Sequence, residues 1–164
     1  SGNACVQVAK ALGALVATTV GSTPKTETAR QAGADLVINY NERNFADAVL
    51  DWTDGVGADV VIDNVGASVL EDNLRALRMG GIFVNFGLVG GMKATLNIQR
   101  LFFRQHQLRG SFMGSMDELK RGLQLLKDGK VKPVVDRTYP MKDAAEAHRY
   151  IDSRMVRGKV VLIP

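Results

Sequence analysis

An α/β fold with a doubly wound, mainly parallel sheet is predicted by two features of this 164-residue sequence. Helix-like and strand-like segments alternate along the whole chain with the spacing of βαβ units. Several strand segments (Val60-Val61-Ile62, Ile82-Phe83-Val84 and Val160-Val161-Leu162-Ile163) are unbroken apolar runs. That pattern belongs to strands with helices over both faces.

The first residues, Ser1 to Ala14, read as an amphipathic helix over 3–12 that runs directly into the apolar strand 15–20. A mononucleotide-binding unit looks like this when its opening strand is missing. With no initiator Met, the chain is expected to be a piece of a longer protein. Pro24 starts the next helix, 24–32, and the strand 36–39 follows it. The helix 43–53 leads through the turn Gly55-Val56-Gly57 to the strand 58–64. Those two glycines match the start of a dinucleotide-binding fingerprint, but they precede a strand, whereas a fingerprint follows one and opens a helix. Next come the helix 67–78, the strand 81–87, the helix 97–104 and the strand 106–113. A boundary is drawn near Gly114, giving 1–113 and 114–164. The second part holds a Leu- and Lys-rich helix over 115–128, the turn Gly129-Lys130-Val131-Lys132-Pro133, the strand 134–139, an Ala-rich helix over 143–152 and the strand 159–163.

A hydrophobic content of 46% over this length supports one sizeable core, with room for a small satellite. The net charge of +4 is spread along the chain, without basic runs interleaved with aromatics, which argues against nucleic acid as a partner. No apolar run approaches the ~20 residues of a membrane span. One cysteine, Cys5, excludes an internal disulfide and a Cys-rich metal site, and fits a reducing cytoplasm.

Four segments carry a resemblance: Val6-Gln7-Val8-Ala9-Lys10-Ala11-Leu12-Gly13-Ala14, Ala32-Gly33-Ala34-Asp35-Leu36-Val37-Ile38-Asn39-Tyr40, Val60-Val61-Ile62-Asp63-Asn64-Val65-Gly66, and Asp143 to His148 with Gly158-Lys159-Val160-Val161-Leu162. In these the chain resembles the medium-chain dehydrogenase/reductase superfamily, above all quinone oxidoreductases and zinc-type alcohol dehydrogenases. The resemblance implies a Rossmann-like cofactor domain without its first strand, over 1–113, followed by a return into a catalytic domain. It also implies that the parent is an oxidoreductase and that this chain alone has little turnover.

In that family a glycine fingerprint lies between the first strand and the first helix, with the pyrophosphate over the helix N-terminus. Its last glycine corresponds to Gly2, which also reads as an ordinary terminal residue. The strand 15–20 ends in Val20-Gly21-Ser22-Thr23-Pro24-Lys25. An acid here would bind ribose hydroxyls and repel a 2′-phosphate; Ser22, Thr23 and Lys25 instead suit that phosphate, so NADP is expected over NAD. The same residues also read as a helix cap with a solvated lysine.

Tyr40 resembles the family residue beside the adenosine phosphate, and equally a surface aromatic. Ligands of open α/β sheets lie outside the carboxyl ends of the strands. Three such ends are therefore candidates: Asn64-Val65-Gly66, Phe86-Gly87-Leu88 and Ser111-Phe112-Met113. Each glycine also reads as turn chemistry. By resemblance, Lys159 reaches the cofactor phosphates and Arg157 assists.

No catalytic constellation is visible, and His106 and His148 lack metal-ligand spacing. In zinc-type relatives the metal ligands lie in the N-terminal catalytic domain, so zinc in the parent stays open. A small-molecule substrate is expected, with a homodimer formed through an edge strand at 107–113. A nucleotide-binding or assembly module without chemistry and, less favoured, an S-adenosylmethionine-dependent methyltransferase are the alternatives. The second would usually carry an acid where Gly21 and Ser22 stand.

Overall fold

A computed structural model describes residues 2–153 and 155–164. The alternation is present in the expected order: α1 (Gly2–Ala11), β1 (Ala17–Val20), α2 (Pro24–Gln31), β2 (Leu36–Asn39), α3 (Phe45–Trp52), β3 (Ala58–Asp63), α4 (Leu70–Ala76, after a 3-10 turn at Ala67–Val69), β4 (Leu77–Asn85), α5 (Ile98–Phe103), β5 (Gln107–Gly110), α6 (Met116–Lys127), β6 (Val135–Pro140), α7 (Ala144–Asp152) and β7 (Lys159–Ile163). The fold is α/β and Rossmann-like. Its strands pair in the orders β1-β2, β3-β4-β5 and β6-β7, with β3-β4, β4-β5 and β6-β7 parallel. Among the described residues no strand joins β1 to β3.

The chain forms two compact units, Ile38–Met116 and the combination of Ser1–Val37 with Asp117–Pro164. In the unit 38–116, the core is built on Leu74, Leu77 and Phe83, with Val61, Leu70 and Leu96 packed against it. In the other unit, Asn3 and Gln7 lie one turn apart on the same side of α1. Gln7 clasps the backbone of Lys132, accepting from its N–H at 2.7 Å and donating to its carbonyl at 3.0 Å. Asn3 Nδ2 donates to the Arg157 carbonyl at 3.4 Å.

Two strand boundaries and the cover of one strand differ most from expectation. β4 starts at Leu77 rather than 81, because Leu77 takes an extended conformation and pairs with Ala58. The ladder then jumps to Val60 opposite Ile82, so Arg78–Gly81 bulge out and Gly80 adopts φ +71°. Gly57, at φ +95°, lets this corner close: a Cβ there would stand 2.7 Å from the Arg78 nitrogen. The second change is in β5, which stops at Gly110 instead of 113. Its partner β4 ends at Asn85, opposite Gly110, and offers nothing further to pair with. Third, the run Val60-Val61-Ile62 is not covered on both faces; Val60 and Ile62 are 46% and 51% exposed. β3 is an edge strand of its sheet among the described residues.

Candidate functional site

In the unit 38–116 the ends of β3, β4 and β5 lie in register, Asp63 opposite Asn85 and Asn85 opposite Gly110. Two of the predicted segments meet directly beyond those ends. Phe86 donates its N–H to the Asp63 carbonyl at 2.9 Å, and Gly90 donates to Val65 at 2.6 Å. A Cβ on Gly87 would stand 2.4 Å from the Asn64 carbonyl oxygen. Gly66, at φ +88°, would bring its Cβ within 3.1 Å of the Gly87 carbonyl. Asn64-Val65-Gly66 and Phe86-Gly87-Leu88 therefore form one backbone-on-backbone ledge, and the glycines are needed to build it. Asn64 and Leu88 are exposed on it.

Asp63 holds the ledge from beneath. Its buried carboxylate accepts from the Val65 N–H at 3.0 Å, the Gly66 N–H at 2.7 Å and the Asn85 amide at 3.3 Å. Asp63 is not among the candidates named from the sequence, where it stands near the end of the predicted strand 58–64. A carboxylate at a strand end followed by Asn-Val-Gly was the available signal, since Asp readily accepts from amides two and three residues on.

The third end is looser. Ser111 donates to the Asn85 carbonyl at 2.9 Å, but Phe112 and Met113 are 92% and 84% exposed, and Met113 takes φ +58°. These two residues follow the strand rather than belonging to it. Tyr40 stands just past β2 and is half exposed.

In the other unit, Gly2 opens α1, whose first turn has no acidic residue. A Cβ on Gly2 would meet nothing within 4 Å, so the space around it is open. Free N–H groups at a helix start together with an uncrowded approach suit a phosphate. Arg157 is tied to this turn through Asn3, with its own side chain exposed. Lys159 begins β7 and is exposed as well. At the end of β1, Pro24 takes the first helical position, but Thr23 is helical in conformation and its side chain makes no cap hydrogen bond. The capping expectation is corrected for Thr23; the Ser22 and Thr23 carbonyls close the turn by accepting from the Lys25 and Thr26 N–H groups at 3.0 Å.

His106 is buried at 7% exposure, with no partner in hydrogen-bonding geometry at either ring nitrogen among the described residues. Burial first, and then the Arg104 charge, hold its pKa below 6.5; the nearby Arg78 carbonyl opposes them. His148 lies on the exposed face of α7. Among the described residues no three His, Cys, Asp or Glu side chains gather as a metal site.

The profile of the zinc-binding dehydrogenase family matches residues 2–128. A 2-haloacrylate reductase from a Burkholderia species is 33% identical over 173 residues, covering 99% of this chain and 52% of that protein. Among solved structures, an NAD-dependent alcohol dehydrogenase superposes with a TM-score of 0.91 at 39% identity, over 99% of this chain and 47% of that one. Escherichia coli quinone oxidoreductase complexed with NADPH gives a TM-score of 0.83 at 33% identity, over 99% and 53%. The chain spans about half the length of the curated relatives it matches.

Proposed function

The chain belongs to the zinc-binding dehydrogenase family, and from that premise we propose that it forms the nicotinamide-cofactor part of an NADP(H)-dependent oxidoreductase. The reaction is hydride transfer to or from a quinone, enone, aldehyde or alcohol. The observation that carries this reading is the ledge at the β3 and β4 ends, where Gly66 and Gly87 press two loops together and leave main-chain groups beside an exposed Asn64.

The chain's residues have distinct tasks here. Main chain at 64–66 and 86–88 positions the ribose and carboxamide. The first turn of α1 and the Arg157 and Lys159 cations bind phosphate. When bound, the nicotinamide supplies the hydride chemistry.

NADP is preferred over NAD because Val20-Gly21-Ser22-Thr23-Pro24-Lys25 places no carboxylate where a 2′-phosphate would lie. The relatives include proteins named for quinone reduction and for NAD-dependent alcohol oxidation, so the choice rests on that segment. The protein is further proposed to be a homodimer through β5.

Binding of NADPH, NADH and S-adenosylmethionine to the protein as encoded, followed by fluorescence and calorimetry, tests this reading. NADPH binding at least about tenfold tighter than NADH is expected, roughly 1.4 kcal/mol. Equal affinity for the two would overturn the NADP assignment. S-adenosylmethionine binding in place of both would overturn the oxidoreductase.

A further inference from the structure

Residues 155–158 link α7 to β7 without regular structure, so the place of Arg157 depends on what grips its backbone. Three contacts do so. The Arg157 N–H donates to Asp136 Oδ2 at 3.0 Å. Its carbonyl accepts from Asn3 Nδ2 at 3.4 Å, a long hydrogen bond. Next to it, Gly158 sits against Val134, the residue before β6, so tightly that a Cβ would stand 2.4 Å from its carbonyl oxygen.

Asp136 is itself fixed in place. The same Oδ2 accepts from the Tyr150 hydroxyl at 2.8 Å, and the Arg137 guanidinium lies over the Tyr150 ring at 4.1 Å. Burial pushes the Asp136 carboxyl up, yet the Arg157 amide, the Tyr150 hydroxyl and the Arg137 and Arg157 charges hold it below its ordinary value. It stays ionised at neutral pH and accepts both bonds. Asp136 thus joins β6 and α7 to the Arg157 segment, and Asn3 joins that segment to the first turn of α1. Asn3, Asp136, Tyr150 and Arg157 all belong to one compact unit.

We propose that Asp136 and Asn3 are positioning residues that set Arg157 beside the first turn of α1 to receive a cofactor phosphate. This rests on the function proposed above. Neither side chain has to touch the cofactor, because each acts through the Arg157 backbone. Asp136→Asn converts one acceptor oxygen into a donor, facing the Arg157 N–H and the Tyr150 hydroxyl in one of its two orientations. Asn3→Ala removes the other grip and leaves Asp136 intact.

The test is a binding cycle on the protein as encoded, with NADPH, ADP and adenosine as probes and thermal unfolding beside it. Arg157→Ala is expected to weaken NADPH and ADP about tenfold and adenosine hardly at all. Asp136→Asn and Asn3→Ala should each weaken the two phosphate-bearing probes by about threefold to tenfold. Adding either substitution to Arg157→Ala should cost nothing more. Equal loss for adenosine, or full additivity with Arg157→Ala, would overturn positioning in favour of a general structural role. So would an unchanged NADPH affinity in both single variants when Arg157→Ala is weakened. A wild-type protein that binds neither NADPH nor NADH would instead overturn the function itself, which separates the two failures.

Discussion

Gly87 and Asn64 touch backbone to backbone: a Cβ at residue 87 would lie 2.4 Å from the Asn64 carbonyl oxygen and 2.9 Å from its Cα. No rotation of a side chain can relieve this, since the obstructing atoms are main chain. Gly87→Ala must therefore push the two loops apart. Overpacking of this kind costs about 1–3 kcal/mol. Thermal unfolding of the variant should show that loss, and NADPH affinity should fall by more than about tenfold because the ledge itself moves. An alanine variant with wild-type stability and binding would show that the loops are not held as described.

Asp63 is the second test of the ledge. Its Oδ2 takes the Gly66 N–H and the Asn85 amide, while Oδ1 takes the Val65 N–H. Asp63→Asn keeps one acceptor and sets an NH₂ against a donor. A buried group left without its partner costs roughly 1–3 kcal/mol. The expected outcome is a lower midpoint in urea with unchanged slope, together with weaker cofactor binding. Asp63→Glu, which keeps the charge but misplaces it, should fare no better.

His106 gives a pH dependence with a definite sign. Its folded pKa lies below the ordinary 6.5, through burial and the Arg104 and Arg100 charges, with only the Arg78 carbonyl opposing. The unfolded chain then binds the proton more readily than the folded one. Its contribution is complete above about pH 6.5 and is lost as pH falls toward the folded value. Thermal midpoints should drop between pH 7 and 5.5, and His106→Leu should flatten that part of the profile. Carboxylates such as Asp136 titrate well below this window.

The order of elements was legible because apolar runs and helical periodicity are local signals, and each segment carries its own. Leu77 shows where local signals mislead. Leu70, Leu74 and Leu77 have the spacing of one helix face, so the helix reads through to 78, and only the pairing of Leu77 with Ala58 makes it a strand. At the candidate site, glycines at strand ends were readable as close-approach positions. What they approach was not: Gly66 and Gly87 meet each other's loops. Asn3 and Arg157 lie 154 positions apart, and a contact at that separation leaves no trace in spacing or composition.

Assembly is the remaining expectation open to measurement. β5 is the outer strand of the sheet β3-β4-β5, all four of its residues are exposed, and Leu108 on it is 41% accessible. Such an edge offers unpaired backbone groups to another strand unless a charge or proline blocks it. Arg109 supplies one charge, and its guanidinium is drawn to Gln107 Oε1 of the same strand at 2.9 Å, so it does little to shield the edge. The protein as encoded is expected to sediment as a dimer at micromolar concentration. Leu108→Lys should shift it toward monomer, because a second cation next to Arg109 would face its own copy across a two-fold axis. Sedimentation of the wild type as a monomer would refute the β5 interface. If wild type and variant are both dimeric, a different surface holds the two copies together.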